Sequence, residues 1–220
     1  MSQERKEIIK CPKCGAEGDF TLWESINVDL NPELKEQILN EELFLWTCPR
    51  CGAKVFVPAG TIYHDMKRKT MIFFDFNDEA DAEKEAEIEI PEMFDKLGGY
   101  QFRIVHNLMD MKEKIFILDA GLDDIAIEYW KYCMRHIIYK NEISDEDDIR
   151  FNGLCKADDS DLILVSFVII GPEENKGTLE IPISVYESFL TKVKSDPRFT
   201  HAKGVAVNQQ WVESKLKSLC

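Results

Sequence analysis

Two short cysteine motifs constrain this chain more than any other feature of its sequence. One reads CPKCG from Cys11 and the other CPRCG from Cys48. Two thiolates on one tight turn supply half of a tetrahedral zinc site, and two such turns complete it. Proline fixes one dihedral angle in each turn, and the following glycine can adopt the left-handed conformation that closes it. The sequence therefore predicts a closed, structural Zn²⁺ site held by Cys11, Cys14, Cys48 and Cys51.

Thiol redox chemistry is the competing use of paired cysteines. That chemistry needs the first cysteine at the start of a helix, where the helix dipole lowers the thiol pKa. Here each motif is followed by a glycine and by sequence typical of extended chain. The pattern favours metal binding, and a redox switch on the same four thiols stays an alternative.

Around these motifs the chain resembles the bacterial and archaeal CpXC family. The resemblance rests on the paired cysteine motifs, the WESINV run from Trp23, the NPELK run from Asn31 and the YHD run from Tyr63. It extends over residues 8–135, through an RIV run from Arg103 and a KEKI run from Lys112. Because the family has no established activity, the resemblance implies the metal site and no particular reaction.

Hydrophobic periodicity predicts an α+β protein. Residues 1–76 should form a zinc-ribbon-like β module with one inserted helix, which begins at Asn31 as its N-cap. The mainly acidic residues 77–90 are predicted to form a connection, and residues 91–220 a mixed α+β domain of unknown role. In that domain the apolar run 162–170 predicts a buried strand, and Ser184 with Glu187 predicts a helix-capping box.

Charge and cysteine content narrow the plausible partners and location. The chain has 27 Lys and Arg against 41 Asp and Glu, a net charge of −14, which disfavours binding to nucleic acid. Its first ten residues lack the apolar core of a secretory signal, and no long apolar run suggests a membrane span. Seven cysteines, an odd number, fit a reducing cytoplasm better than an oxidising compartment.

His64 and Asp65 are the candidate catalytic residues, with histidine as base and aspartate as its orienting partner. Neighbouring residues on a strand point to opposite faces, however, so a structural role competes with a hydrolytic one. We therefore predict a cytoplasmic, zinc-stabilised adaptor that contacts another protein. A hydrolytic enzyme using His64 and Asp65 is the alternative, followed by nucleic-acid binding; the sequence leaves the oligomeric state open.

Overall fold

The computed structural model describes residues 2–76, 98–158, 160–199 and 206–217. It divides into two compact units, whose described parts lie within residues 2–112 and 113–217. Both units combine helices with strands, so the α+β class predicted from the sequence is confirmed.

A five-stranded sheet forms the centre of the first unit. Its strands are β1 (Gln3–Lys10), β2 (Glu17–Asn27), β5 (Thr61–Asp65), β6 (Thr70–Phe74) and β7 (Gln101–Val105), in the order β1-β2-β5-β6-β7. The pairs β1–β2 and β5–β6 are antiparallel, whereas β2–β5 and β6–β7 are parallel. Since β7 pairs with β6, this sheet extends beyond residue 76; the predicted connection 77–90 lies outside the described residues.

A short helix and a hairpin complete the first unit. Helix α1 (Pro32–Leu39) buries Leu34 and Ile38, and β3 (Leu45–Thr47) pairs antiparallel with β4 (Lys54–Phe56). The predicted capping role of Asn31 is wrong, because its side chain donates to Glu33 and accepts from Ser2 instead of bonding the helix backbone.

In the second unit a three-stranded antiparallel sheet packs with helices. The strands are β8 (Asp148–Lys156), β9 (Ile163–Ile170) and β10 (Asn175–Pro182), in the order β10-β9-β8. Helix α2 (Leu108–Asp119) crosses from the first unit into the second, and α3 (Asp124–Cys133) continues as a π-helical turn, Met134–Ile138. Helices α4 (Ile183–Ser195) and α5 (Gln209–Lys217) follow.

Aromatic packing forms much of the second unit's core. The Trp130 ring on α3 is fully buried, with centroid distances of 5.0 Å to Phe167 on β9 and 5.2 Å to Phe189 on α4. Asp123 caps α3 by accepting hydrogen bonds from two backbone amides. The predicted capping box at Ser184 is wrong, because α4 already begins at Ile183 and has no side-chain cap.

Candidate metal centre

The first cysteine motif forms a tight turn between β1 and β2. The Cys11 amide donates to the Ala16 carbonyl at 2.8 Å, and the Gly15 amide donates to the Cys11 carbonyl at 2.9 Å. Gly15 has φ of 70°, the left-handed conformation predicted from the motif. These bonds fold the chain back on itself, which brings both thiols of the motif to one side of the turn.

The second motif repeats this geometry between β3 and β4. The Cys48 amide donates to the Ala53 carbonyl at 2.8 Å, and the Gly52 amide donates to the Cys48 carbonyl at 3.0 Å. Gly52 has φ of 69°. The same motif thus produces the same hydrogen-bonded turn twice.

The two turns bring all four motif sulfurs together. The Sγ atoms of Cys11, Cys14, Cys48 and Cys51 lie within 4.8 Å of one another. Two of the separations cross between the turns, 3.7 Å from Cys11 to Cys51 and 3.6 Å from Cys14 to Cys48. Four ligands about 2.3 Å from a central zinc ion form a tetrahedron with edges of about 3.8 Å. The sulfur set is therefore compatible with a metal ion.

The pKa values of two of these thiols, Cys48 and Cys14, are shifted in opposite directions. Burial raises the pKa of Cys48, but hydrogen bonds from the backbone of Cys51 and Arg50 and from neighbouring thiols outweigh burial and lower it to about 6. At Cys14 the Ala16 backbone lowers the pKa, but burial and the neighbouring thiols raise it to about 12. Cys48 is therefore the more acidic of these two thiols, and a cation that binds the four sulfurs would displace their protons.

Apolar side chains surround the four sulfurs. Trp46 is buried with Cys11 and Cys48, and Phe20 and Val55 pack against this group. Gly18 lies so close to the indole that an added Cβ would be 3.0 Å from Cζ2 of Trp46. This shell limits the access of water to the sulfurs of Cys11 and Cys48, whereas Cys14 and Cys51 are only half-buried.

The candidate catalytic residues His64 and Asp65 point to different partners. Nε2 of His64 lies 3.1 Å from the Tyr100 hydroxyl. The buried Asp65 carboxylate instead accepts hydrogen bonds from the backbone and guanidinium of Arg68, at 2.8 and 2.9 Å. Burial lowers the pKa of His64, and nearby acids only partly oppose this effect. These contacts favour structural roles for both residues.

A buried cluster of charges in the second unit was not predicted from the sequence. Glu113 on α2 accepts hydrogen bonds from Lys131 at 3.0 Å, from Arg150 at 3.1 Å and from the Phe151 backbone at 2.6 Å. Lys131 also lies 3.1 Å from Glu128 on its own helix. The cluster ties α2 and α3 to the edge strand β8.

A second lysine extends this cluster. Nζ of Lys114 lies 3.3 Å from both Asp124 and Glu128, and all three side chains are at most 5% exposed. The cluster, comprising Glu113, Lys114, Asp124, Glu128, Lys131 and Arg150, contains three acidic and three basic groups, and the partly exposed Asp148 also pairs with Arg150 at 2.5 Å. Their charges can compensate one another, and the burial of most of them points to structure rather than to substrate binding.

Comparison with known proteins gives one match. The family model described as CpXC protein matches residues 9–131, more than half of the chain and including all four clustered cysteines. No curated protein and no solved structure matches. Within the described ranges, no helix is both long and apolar enough to cross a lipid bilayer.

Proposed function

The chain belongs to the CpXC family, and from this membership and its cysteine geometry we propose that it is a zinc-binding protein acting as an adaptor for another protein. The four-sulfur cluster is the observation that carries the metal assignment. Cys11, Cys14, Cys48 and Cys51 would hold Zn²⁺ as a closed structural site with no open coordination position. The bound ion would join the turn after β1 to the turn after β3.

Metal analysis of the purified chain tests the zinc proposal. We expect about one zinc ion per chain, as one four-cysteine site requires, and loss of that ion from the Cys48→Ser variant. Cys155→Ser is the matched control, because Cys155 lies on β8 in the second unit and is outside the cluster. Sub-stoichiometric zinc, a different metal in the native protein, or equal zinc retention in both variants would contradict the proposal.

An exposed aromatic patch supports the adaptor role. Phe56 on β4 and Phe76 after β6 are 39% and 40% exposed, and their ring centroids lie 5.7 Å apart. Phe44 and Phe74 are buried beside them, with centroids 6.0 Å from Phe56 and 6.2 Å from Phe76, respectively. Clustered aromatic side chains that remain exposed are typical of protein-binding surfaces.

Charge disfavours nucleic acid as the partner. The chain carries a net charge of −14, and acids also pair with two residues of the basic run 67–69. Lys67 lies 3.2 Å from Asp29, and Arg68 lies 2.9 Å from Asp65. Few free cations are therefore left in this run to neutralise phosphates.

Site-specific photo-cross-linking tests the adaptor proposal. A photoreactive phenylalanine analogue at Phe56 should give a protein adduct of defined mass in native cells. The same analogue at Leu30, also exposed in the first unit, should not give that adduct. Identical adduct patterns at both positions, or only intramolecular products at Phe56, would remove the support that the aromatic patch gives.

The proposed location is the cytoplasm, where a reducing environment keeps thiolates available to bind metal. The described cysteines are all free thiols. Fractionation of cells expressing the native chain tests this part of the proposal. Recovery with oxidised cysteines from an extracytoplasmic fraction would contradict it.

A further inference from the structure

A cavity on the first unit offers a binding site separate from the cysteine cluster. Its volume is about 440 Å³, within the range of about 300–1,000 Å³ typical of ligand sites. Three segments line it: Arg5 and Glu7 on β1, the Leu22–Glu24 stretch of β2, and residues 57–60 between β4 and β5. All of these segments belong to the first unit.

The charged side of this cavity contains two carboxylates and one guanidinium. Nη1 of Arg5 lies 2.6 Å from Oε1 of Glu7, and Nε of Arg5 lies 3.4 Å from Oε1 of Glu24. The three side chains are between 40% and 57% exposed, so an incoming ligand can reach them. One guanidinium cannot neutralise two carboxylates, and the group retains one net negative charge.

The accessible lining is mainly polar, with a smaller contribution from apolar residues. Leu22, Trp23, Val57 and Pro58 contribute to it, and Leu22 is buried in the sheet. Long cationic side chains bind well where the aliphatic stem packs on an apolar surface and the charged head reaches carboxylates.

We propose that this cavity, lined by Arg5, Glu7, Leu22, Trp23, Glu24 and residues 57–60, binds an arginine or lysine side chain from a segment of a partner protein. This inference rests on the proposed adaptor function and names the chemistry that its partner presents. The local charge supports the choice, because two carboxylates outnumber the single guanidinium at the cavity and attract a cation.

NMR titration of the zinc-loaded full chain tests the proposal. The probe is the capped pentapeptide Gly-Ala-Arg-Ala-Gly, and its matched control contains citrulline, which keeps the shape of arginine without its charge. The arginine peptide should shift amide resonances in β1, in β2 and in residues 57–60, and should bind at least about twofold more tightly than the citrulline peptide.

Three substitutions should respectively weaken, strengthen and leave unchanged the binding of the arginine peptide. Glu24→Gln should weaken binding of the arginine peptide about two- to fivefold, the range expected for an exposed ion pair. Arg5→Gln should strengthen it, because this change removes the competing internal cation. Glu17→Gln should leave it unchanged, since Glu17 is exposed at the start of β2, opposite Lys10, and does not line the cavity.

Other outcomes overturn the proposal. Equal binding of the citrulline peptide, preferential binding of a glutamate peptide or inorganic phosphate, or no effect of Glu24→Gln each exclude a cation site. Failure of the adaptor function is distinguishable. A cross-linked partner whose binding is indifferent to Glu24→Gln leaves the adaptor intact and removes this cavity from it. Charge-selective peptide binding without any cross-linked cellular partner would support the cation site and contradict the adaptor proposal.

Discussion

Replacing Glu113 with glutamine should strongly destabilise the second unit. The substitution preserves the size of the side chain but removes the charge that Lys131 and Arg150 face at 3.0 and 3.1 Å. The new amide nitrogen would also place a donor against one of these donors. Lys131 is 4% exposed, so water cannot replace the lost carboxylate. Glu128 and Asp148 remain to pair with Lys131 and Arg150, so neither cation is left without a carboxylate. We therefore expect a loss of about 1–3 kcal/mol, the cost of losing hydrogen bonds to a buried charged group.

Glu128 provides a comparison within the same cluster. Burial raises the pKa of Glu128, and the nearby Glu113 adds to this effect, although Lys131 and Lys114 oppose it. For Glu113, burial likewise raises the pKa, but Lys131 and Arg150 and the Phe151 backbone outweigh burial and lower it. Neutralising Glu128 therefore removes less charge stabilisation. We expect Glu128→Gln to cost about 0.5–1.5 kcal/mol, comparable to one hydrogen bond.

Amide hydrogen exchange over β8 and β9 measures these differences within the second unit. Protection there should fall by about one to two powers of ten in Glu113→Gln, and by about one power of ten or less in Glu128→Gln. Glu187→Gln, an exposed change on α4, should have little effect. Equal losses in the two cluster variants, or a loss below about 1 kcal/mol for Glu113→Gln, would refute the assigned charge distribution.

The same cluster predicts how the stability of the second unit depends on pH. Because the pKa of Glu113 lies below its ordinary 4.5, its stabilisation is present above pH 4.5 and is lost as pH falls through the lower native value. Urea unfolding between neutral pH and pH 3 should show a smaller pH dependence in Glu113→Gln than in the native chain. Gly18→Ala should weaken zinc retention against a competing dye, because its Cβ would lie 3.0 Å from Trp46. Asp123→Ala should lower the urea stability of the second unit by about 0.5–2 kcal/mol, since it removes the cap of α3. His64→Ala should lower thermal stability without releasing zinc; zinc loss at native-like stability would contradict its structural role.

The cysteine cluster was predictable because its information is local. Each five-residue motif specifies a turn, two thiols and a left-handed glycine, and these are the features that the structure contains. Two copies of such a motif complete a four-sulfur site once the fold brings the two turns into contact. Gly15 and Gly52 differ by only 1° in φ, which shows how closely equal motifs produce equal backbones.

Strands β1 and β8 were harder to predict because neither shows the regular alternation of apolar and polar residues that is typical of a strand. The residues Gln3–Lys10 are mostly charged, as is common where an edge strand must resist pairing with other chains. In β8 the pairing shifts register between Phe151 and Gly153, and Gly153 has φ of 122°. A bulge of this kind interrupts the alternation of apolar and polar residues by which a strand is recognised.

The buried charged cluster could not be inferred from helical spacing alone. Glu113 and Lys114 on α2, and Glu128 and Lys131 on α3, resemble the solvent-facing charges found on most helices. Only tertiary packing shows that each acid faces a base contributed by another element. The sequence reveals composition, whereas burial decides whether an ion pair contributes nearly nothing or several kcal/mol.

The two units therefore depend on different chemistry for their stability, and this difference should separate them experimentally. The first unit brings two cysteine turns together at four sulfurs, which the proposed zinc ion would hold. The second has Trp130 packed between aromatic rings and a compensated cluster of buried charges, neither of which needs a metal. A chelator should consequently increase exchange around Cys11 and Cys48 while leaving β9 protected. Equal loss of protection in both regions would mean that the metal site stabilises the whole chain.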